Sequence, residues 1–425
     1  MIFTKNHVNF LEQLLSINTV SPLETGVTAD IPHAMDEFAK QARSIGFEVA
    51  FYGPAEIANE VPIKVKQLHS ELGEAFLTSQ PSMVLTLGTL ERDQPSIMFN
   101  FHMDTVGPHL PVYVASDKVF GRGAADNKGP GVALLAAVEH WLGGRGSKQD
   151  APTVLIQCVS GEEGGAMGIY GTLPLVQKGY YGSLNVFMIP SNEGYFDCST
   201  ASMTVEIAVD GQGSTDDFPE DGDNATLLLS SLTAEMSVAL SVMCVRENIK
   251  LTIAGLNTGS MHNRVYGTGT VLLNFSYRSV EAARHLEDAF DDIFHAALNH
   301  IKTRYGQDHF FARTAKNCES VTKYSWLKKG LPVLSNRSAL WESKLALADI
   351  NRHVSEEDTF TCDAMWGNIP GAYSIMFGPG DLLSNGAHTA NEHIGIGEID
   401  AYCQKLVSLL KATDPPGFQN IRDAL

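Results

Sequence analysis

The 425-residue sequence is poor in the residues that form cross-links or concentrate positive charge. Its six cysteines, at 158, 198, 244, 318, 362 and 403, include no C-x-x-C pair. That spacing excludes a thiolate zinc knuckle and fits reduced thiols in a cytoplasmic protein better than a disulfide framework. Lysine and arginine number 30 against 49 aspartates and glutamates, a net charge of −19. A phosphate backbone would be repelled, so nucleic acid is not an expected partner. The start, "MIFTKNHVNFLEQLLSI", has no basic leader ahead of an apolar core and reads as a surface helix. No window approaches 18 apolar residues, so no membrane span is expected. The P-loop spacing G-x-x-x-x-G-K-[ST] is absent, and the glycine-rich "GRGAADNKGPG" does not fit G-x-G-x-x-G either.

What is present is globular: 44% hydrophobic and 19% charged residues, with 38 glycines spread throughout. The length exceeds one core, so two or more domains are expected. Over 1–198, β-rich runs such as "PSIMFNF", "APTVLIQCVS" and "SLNVFMIP" alternate with helices, of which "GPGVALLAAVEHWL" is strongly apolar. That alternation predicts an α/β domain with a mixed, mostly parallel sheet flanked by helices. From residue 199 the strands alternate apolar and polar, as in "SMTVEIAVDG", which suits one wet face. An acidic loop, an apolar helix, two more such strands and a long helix follow. The segment 199–325 therefore reads as an inserted α+β sandwich, and 326–425 as a return to the first domain.

Four segments place metal-competent side chains at or just after apolar strands, where ligands gather in open α/β sheets. The first is His102-x-Asp104. Residues two apart on a strand share a face, so Asp104 is placed to hold the ring of His102. The second is "GRGAADNKGPG", in which Asp126 precedes an apolar helix and, taken alone, reads as its N-cap. The third is "VSGEEGG". Its adjacent Glu162 and Glu163 must project to different sides, so one can bind metal while the other stays free as a base. The fourth is "FGPGDLLSNGAHTANEH", where His388 follows a glycine-rich loop. Singly, each is better read as an ordinary loop, cap or acidic turn.

In this order the four segments resemble the co-catalytic zinc aminoacylase and carboxypeptidase family. That family includes acetylornithine deacetylase, succinyl-diaminopimelate desuccinylase, carboxypeptidase G and the carnosinase-type dipeptidases. The resemblance covers nearly the whole chain through "HMDTV", "VFGRGAADNKG", "GEEGG" and "FGPG…AHTANE". It implies a metal-binding catalytic domain with an inserted lid or dimerisation domain, two zinc ions (cobalt or manganese as substitutes) and a homodimer through the lid. Carried over, His102 and His388 would each bind one zinc, Asp126 would bridge them and Glu163 would bind one. Glu162 would be the general base and Asp104 would orient His102. The remaining acidic ligand would be Glu193, with Asp197 second, although "MIPSNEGYFD" departs from the family's form. In the lid, Asn263 and Arg278 would bind substrate. The family's lid histidine has no counterpart in "DGQGSTDDFPEDGDN", for which His262 is a conjectural substitute.

The resemblance implies amide hydrolysis by a metal-bridging hydroxide, with a small N-acyl amino acid or short peptide as substrate. An acetylornithine deacetylase-like deacylase is the most specific reading. A dipeptidase or carboxypeptidase is the alternative, and a metal- or peptide-binding member without turnover is a reading of another class.

Overall fold

The runs that are apolar at every position become the strands of a sheet covered on both faces. The structure, a computed structural model, describes residues 1–57, 61–90, 96–144, 152–355 and 359–413. These fall into two compact units, Met1–Ser199 with Leu334–Leu425, and Thr200–Val333.

The first unit is built on a six-stranded sheet in the order Glu48–Gly53, Ser82–Leu87, Thr153–Val159, Ser96–His102, Leu184–Pro190, Tyr373–Gly378. The last four run parallel, and Ser82–Leu87 is antiparallel to both of its neighbours. Along Ser96–His102 every residue is buried. Ile97, Phe99 and Phe101 pack into the core with the helices Ile31–Ile45, Lys128–Gly143 and Ile396–Ala412, while Met98 joins Phe187, Leu175 and Met376 in a separate cluster. Side chains alternate between faces at period two, so a strand dry on both sides must be apolar throughout. The parallel strands also bring Val159, His102, Pro190 and Gly378 to one edge of the sheet.

The helix Lys128–Gly143 is buried almost all round and starts directly after the Asp126 loop. Its first turn needs glycine for a steric reason. A Cβ on Gly129 would lie 2.0 Å from the carbonyl oxygen of Ala124, and one on Gly131 would meet the Phe101 ring at 2.7 Å. The loop is thus folded back against its own helix.

The second unit is a four-stranded antiparallel sheet in the order Lys250–Asn257, Thr268–Tyr277, Ala201–Asp210, Thr322–Lys328. Burial alternates along its two central strands. The helices Ala225–Arg246 and Val280–Tyr305 contribute Leu228, Leu229, Leu232, Phe290 and Phe294 to its core. Phe290 meets Phe275 of the sheet edge-on, with ring centroids 6.4 Å apart.

Two expectations need correction. The chain does not leave the inserted unit at Trp326, because Trp326 pairs with Val205 inside the edge strand Thr322–Lys328; the return falls between Val333 and Leu334. The expectation that no window nears membrane-spanning apolarity also fails. The 22-residue helix Ala225–Arg246 has a window of mean hydropathy 1.7, so it is long and apolar enough by length and composition to cross a membrane. One face of it packs in the second unit, while Val238, Val242 and Val245 stand exposed.

Gly129→Ala should destabilise the protein by about 1–3 kcal/mol, the scale of an overpacked buried contact. A fall in the calorimetric transition temperature checks this, and an unchanged transition would show that the loop yields freely.

Candidate metal centre

His102 ends its strand 1% exposed. Its Nδ1 donates to the main-chain carbonyl of Asp104 at 2.8 Å, which leaves Nε2 to face Asp126 Oδ1 at 3.0 Å. The Asp104 carboxylate was expected to hold this ring, but it lies 3.8 Å from Nδ1. It accepts the backbone N–H groups of Glu163 at 3.1 Å and Glu162 at 3.5 Å instead. Asp104 therefore orients the histidine through its backbone and fixes the Glu162–Glu163 turn through its side chain. That turn is tight: Gly161 has φ +79°, and a Cβ there would lie 2.0 Å from the Tyr170 ring.

Asp126 is not the helix cap, a position that Asn127 takes. Its Oδ1 meets His102, and its Oδ2 lies 3.2 Å from Nε2 of His388. The same His388 nitrogen stands 3.2 Å from Glu163 Oε1. His102, Asp126 and Glu163 offer ligand atoms that all lie within 4.8 Å of one another. Glu162 and Glu163 line a cavity of about 260 Å³ with Asp126, His388, Ile189, Phe360 and Leu382.

Two candidates are not brought into this group. Glu193 is exposed, in the left-handed region at φ 66°, and its carbonyl accepts the Lys405 ammonium at 2.7 Å. Asp197 is buried but engaged by Arg352 at 2.8 and 2.9 Å and by the Tyr373 hydroxyl at 3.1 Å. The strand before them ends at Pro190, and the next side chain, Ser191, turns its hydroxyl to the carbonyl oxygens of Gly194 and Gly378. The chain path after Pro190 thus aims both acids elsewhere. Asn263 and His262 are exposed in the second unit, and Arg278 is half-buried at the end of the strand Thr268–Tyr277.

A residue that the sequence did not single out holds the loop carrying Asp126. Glu392, 1% exposed, accepts the backbone N–H groups of Gly123 at 2.9 Å and of Ala125 and Asp126 at 3.2 Å on one oxygen. Its other oxygen pairs with the equally buried Arg122 at 2.5 Å. Its main-chain carbonyl accepts from Gly121, and His393 pairs next to it with Phe120. "AHTANEH" thus supplies His388 and the clamp on Asp126 together.

The site is crowded with buried acid. Burial raises the Glu162 carboxyl well above its ordinary value; His102 opposes this, while the charges of Glu163, Asp363 and Asp126 add to it. Burial likewise raises Asp104 and Glu163, and lifts Asp363 to about 7. For Asp126 burial is outweighed by its bonds to His102 and His388, which hold it below the usual carboxylate range. Bonds to Asp126 and Glu163 push His388 up to about 10. For His102 burial disfavours the cation, but the bond to Asp126 and the surrounding carboxylates raise it well above its ordinary value. A cation bound here would reverse this tension by favouring carboxylates and neutral imidazoles.

The donor set fits such a cation. A tetrahedral zinc with bonds of about 2.0 Å spaces its donors roughly 3.3 Å apart. The distances from His388 to Asp126 and to Glu163 are both 3.2 Å. Apart from the His388 nitrogen 3.2 Å away, the buried Glu163 Oε1 has no polar partner among the described residues, which suits a metal ligand better than a carboxylate held by backbone donors.

Fold and site together define a metal-dependent hydrolase. The chain belongs to peptidase family M20/M25/M40, whose model matches residues 98–412. It is 25% identical over 334 residues to a succinyl-diaminopimelate desuccinylase of Halorhodospira halophila, covering 73% of this chain and 81% of the relative. The aminopeptidase PepT of Bacillus cereus superposes with a TM-score of 0.67 at 14% identity, over 96% of this chain and 98% of its own. The dipeptidase Dug1p of Saccharomyces cerevisiae does so with a TM-score of 0.67 at 11% identity, over 97% of both chains.

Glu392→Gln leaves the buried Arg122 without its counter-charge, a change that typically costs about 3–5 kcal/mol. Its metal affinity should fall as well, because the Asp126 loop loses its anchor. Thermal unfolding with and without metal, alongside a metal titration, reads both effects. Wild-type stability and affinity would show that the clamp is dispensable.

Proposed function

We propose that this enzyme is a zinc-dependent, cytoplasmic deacylase of N-acyl amino acids, acetylornithine deacetylase-like in its chemistry. The observation that carries the reading is Glu162. It lines the cavity beside His388, Asp126 and Glu163, yet makes none of the short contacts that those three make with one another. A carboxylate left over beside three converging donors suits a general base. The desuccinylase relative supports a deacylase, since its name describes removal of an acyl group from an amino acid. Buried thiols at Cys158, Cys244, Cys318, Cys362 and Cys403 support the location.

A zinc ion held by Asp126, Glu163 and His388 would supply Lewis acidity toward the amide carbonyl and the attacking water. Glu162 accepts the proton of the attacking water and delivers it to the departing amine nitrogen. Asp104 keeps the Glu162–Glu163 turn in place through two backbone N–H bonds and holds the His102 tautomer through its carbonyl. Asn263 and Arg278 are the substrate-binding residues of this reading, with an arginine suited to a free carboxylate.

Glu162→Gln should retain metal and lose about 10²–10⁴-fold in kcat. The substrate class is read from amine release across N-acetyl, N-succinyl and dipeptide substrates. Preference for dipeptides would turn the reading to an exopeptidase, and full activity in Glu162→Gln would remove the assigned base.

We also propose that two copies join through the second unit. Its edge strand Lys250–Asn257 exposes Ile253 and Leu256, and Val238 and Val242 line a groove of about 710 Å³ between the helices Ala225–Arg246 and Val280–Tyr305. Glu235 and Asp292 lie on this groove with Arg246 and His300, so both charge signs are available to a self-complementary contact. A two-fold axis pairs an edge strand antiparallel to its own copy, which satisfies the open ladder. Val238→Glu with Val242→Lys should convert a dimer to a monomer in sedimentation velocity. A monomeric wild-type chain would dismiss the contact.

A further inference from the structure

We infer that the two halves of the metal centre are unequal: one metal binds tightly at His388, Glu163 and Asp126, and a second binds weakly or not at all at His102. The inference rests on the proposed metal-dependent reading and concerns how many ions the chain's own residues can hold. Asp126 divides the donors. Its Oδ2 faces His388 Nε2 at 3.2 Å, and that nitrogen is also 3.2 Å from Glu163 Oε1. Two carboxylates therefore converge on the His388 nitrogen, each at the donor–donor spacing that a tetrahedral zinc sets, about 3.3 Å. On the other side, Asp126 Oδ1 faces His102 Nε2 at 3.0 Å. Among the described residues no third histidine, cysteine or carboxylate completes that pair, apart from the Glu163 already used.

Glu162 is the proposed base, Asp363 accepts the Thr172 hydroxyl, and three further acids are engaged elsewhere or exposed. Asp104 is turned to the N–H groups of Glu162 and Glu163. Asp197 is neutralised by Arg352, and Glu193 is exposed. Directly after the strand next to that of His102 stands Ser191, whose hydroxyl is spent on two carbonyl oxygens. A neutral hydroxyl donating to the backbone replaces neither the charge nor the lone pairs of a carboxylate.

Loss of a residue that merely supports a ligand already weakens metal binding by about 10–100-fold. Lack of a direct donor should cost the His102 half-site at least as much. Metal-free full-length protein is titrated with zinc against a chromophoric chelator, and bound metal is counted by mass spectrometry after dialysis. The expected result is one equivalent retained per chain, with the second at least about 10–100-fold weaker. His102→Ala should keep the tight equivalent, and His388→Ala should lose it. Near-ultraviolet circular dichroism of each variant distinguishes a lost ligand from a lost fold, and Glu163→Gln repeats the test where His388→Ala fails to fold. Two equivalents of similar affinity would overturn the inequality, as would loss of the tight metal in a folded His102→Ala. Binding of no metal at all would overturn the proposed function itself, which separates the two failures.

Discussion

The buried carboxylate of Glu392 is the contact on which the site depends. It lies 266 residues from Asp126 in the chain, yet it accepts that residue's backbone N–H together with those of Gly123 and Ala125. Three donors on one oxygen, with Arg122 on the other, leave a buried charge fully hydrogen-bonded, the condition under which burial is tolerable. The main chain around Glu392 is also fixed, by Gly121 on one side and by the pairing of His393 with Phe120 on the other. His388 sits four residues earlier at φ 62°, a left-handed conformation that an L-residue holds only when its surroundings enforce it. One segment thus determines the positions of two partners, Asp126 and His388, that no local interaction could bring together.

The sheet does the same for His102 and the Glu162–Glu163 turn. Their strands are adjacent and parallel, with His102 opposite Val159. The side chains that follow each strand therefore emerge at the same edge. Asp104 then ties the two ends, since its carboxylate takes the N–H groups of the neighbouring turn. Strand ends, loop and late segment are each anchored by a charge-assisted bond to backbone, and such bonds are shorter and stronger than neutral ones.

How far the sequence discloses this depends on what each contact requires. Strand runs apolar at every position, followed by His102, Glu162, Glu163 and His388, are visible because a doubly covered parallel sheet permits little else there. Spacing placed Asp104 beside His102, but period two specifies a face and not an atom; the main-chain oxygen took the Nδ1 proton that the carboxylate was expected to accept. Glu193 and Asp197 lie outside the group of converging donors because the path after Pro190 is set by Ser191, Gly194 and Gly378, a pairing with no signature in the sequence. Glu392 is equally opaque. A glutamate in "AHTANEH" looks like a polar helix start, and only its distant partner Arg122 makes it a core residue. In the second unit the alternating strands were legible, but the helix Ala225–Arg246 is apolar beyond the needs of its buried face, and periodicity alone does not say what meets Val238 and Val242.

The charge balance of the site explains why these anchors must be so firm. Asp104, Asp126, Glu163 and Asp363 are all buried in one neighbourhood, against two histidines as the ionisable bases that contact them. Burial lifts Asp363 to about 7, and the bonds to Asp126 and Glu163 push His388 up to about 10. The signs follow from linkage. A carboxyl raised in the folded state binds its proton more tightly there than when unfolded, so its contribution to stability is fully present below about 3.8 and is lost as pH rises toward about 7. Asp126, held below its ordinary value, works in the opposite sense: its contribution is present above the unfolded pKa and is lost in acid. Near neutrality the metal-free fold thus loses stability through acids it must ionise, and a bound cation removes that opposition. Metal binding is in this way folding free energy as well as catalytic equipment. The Glu392 clamp keeps Asp126 in position against the repulsion of its neighbours until the cation arrives.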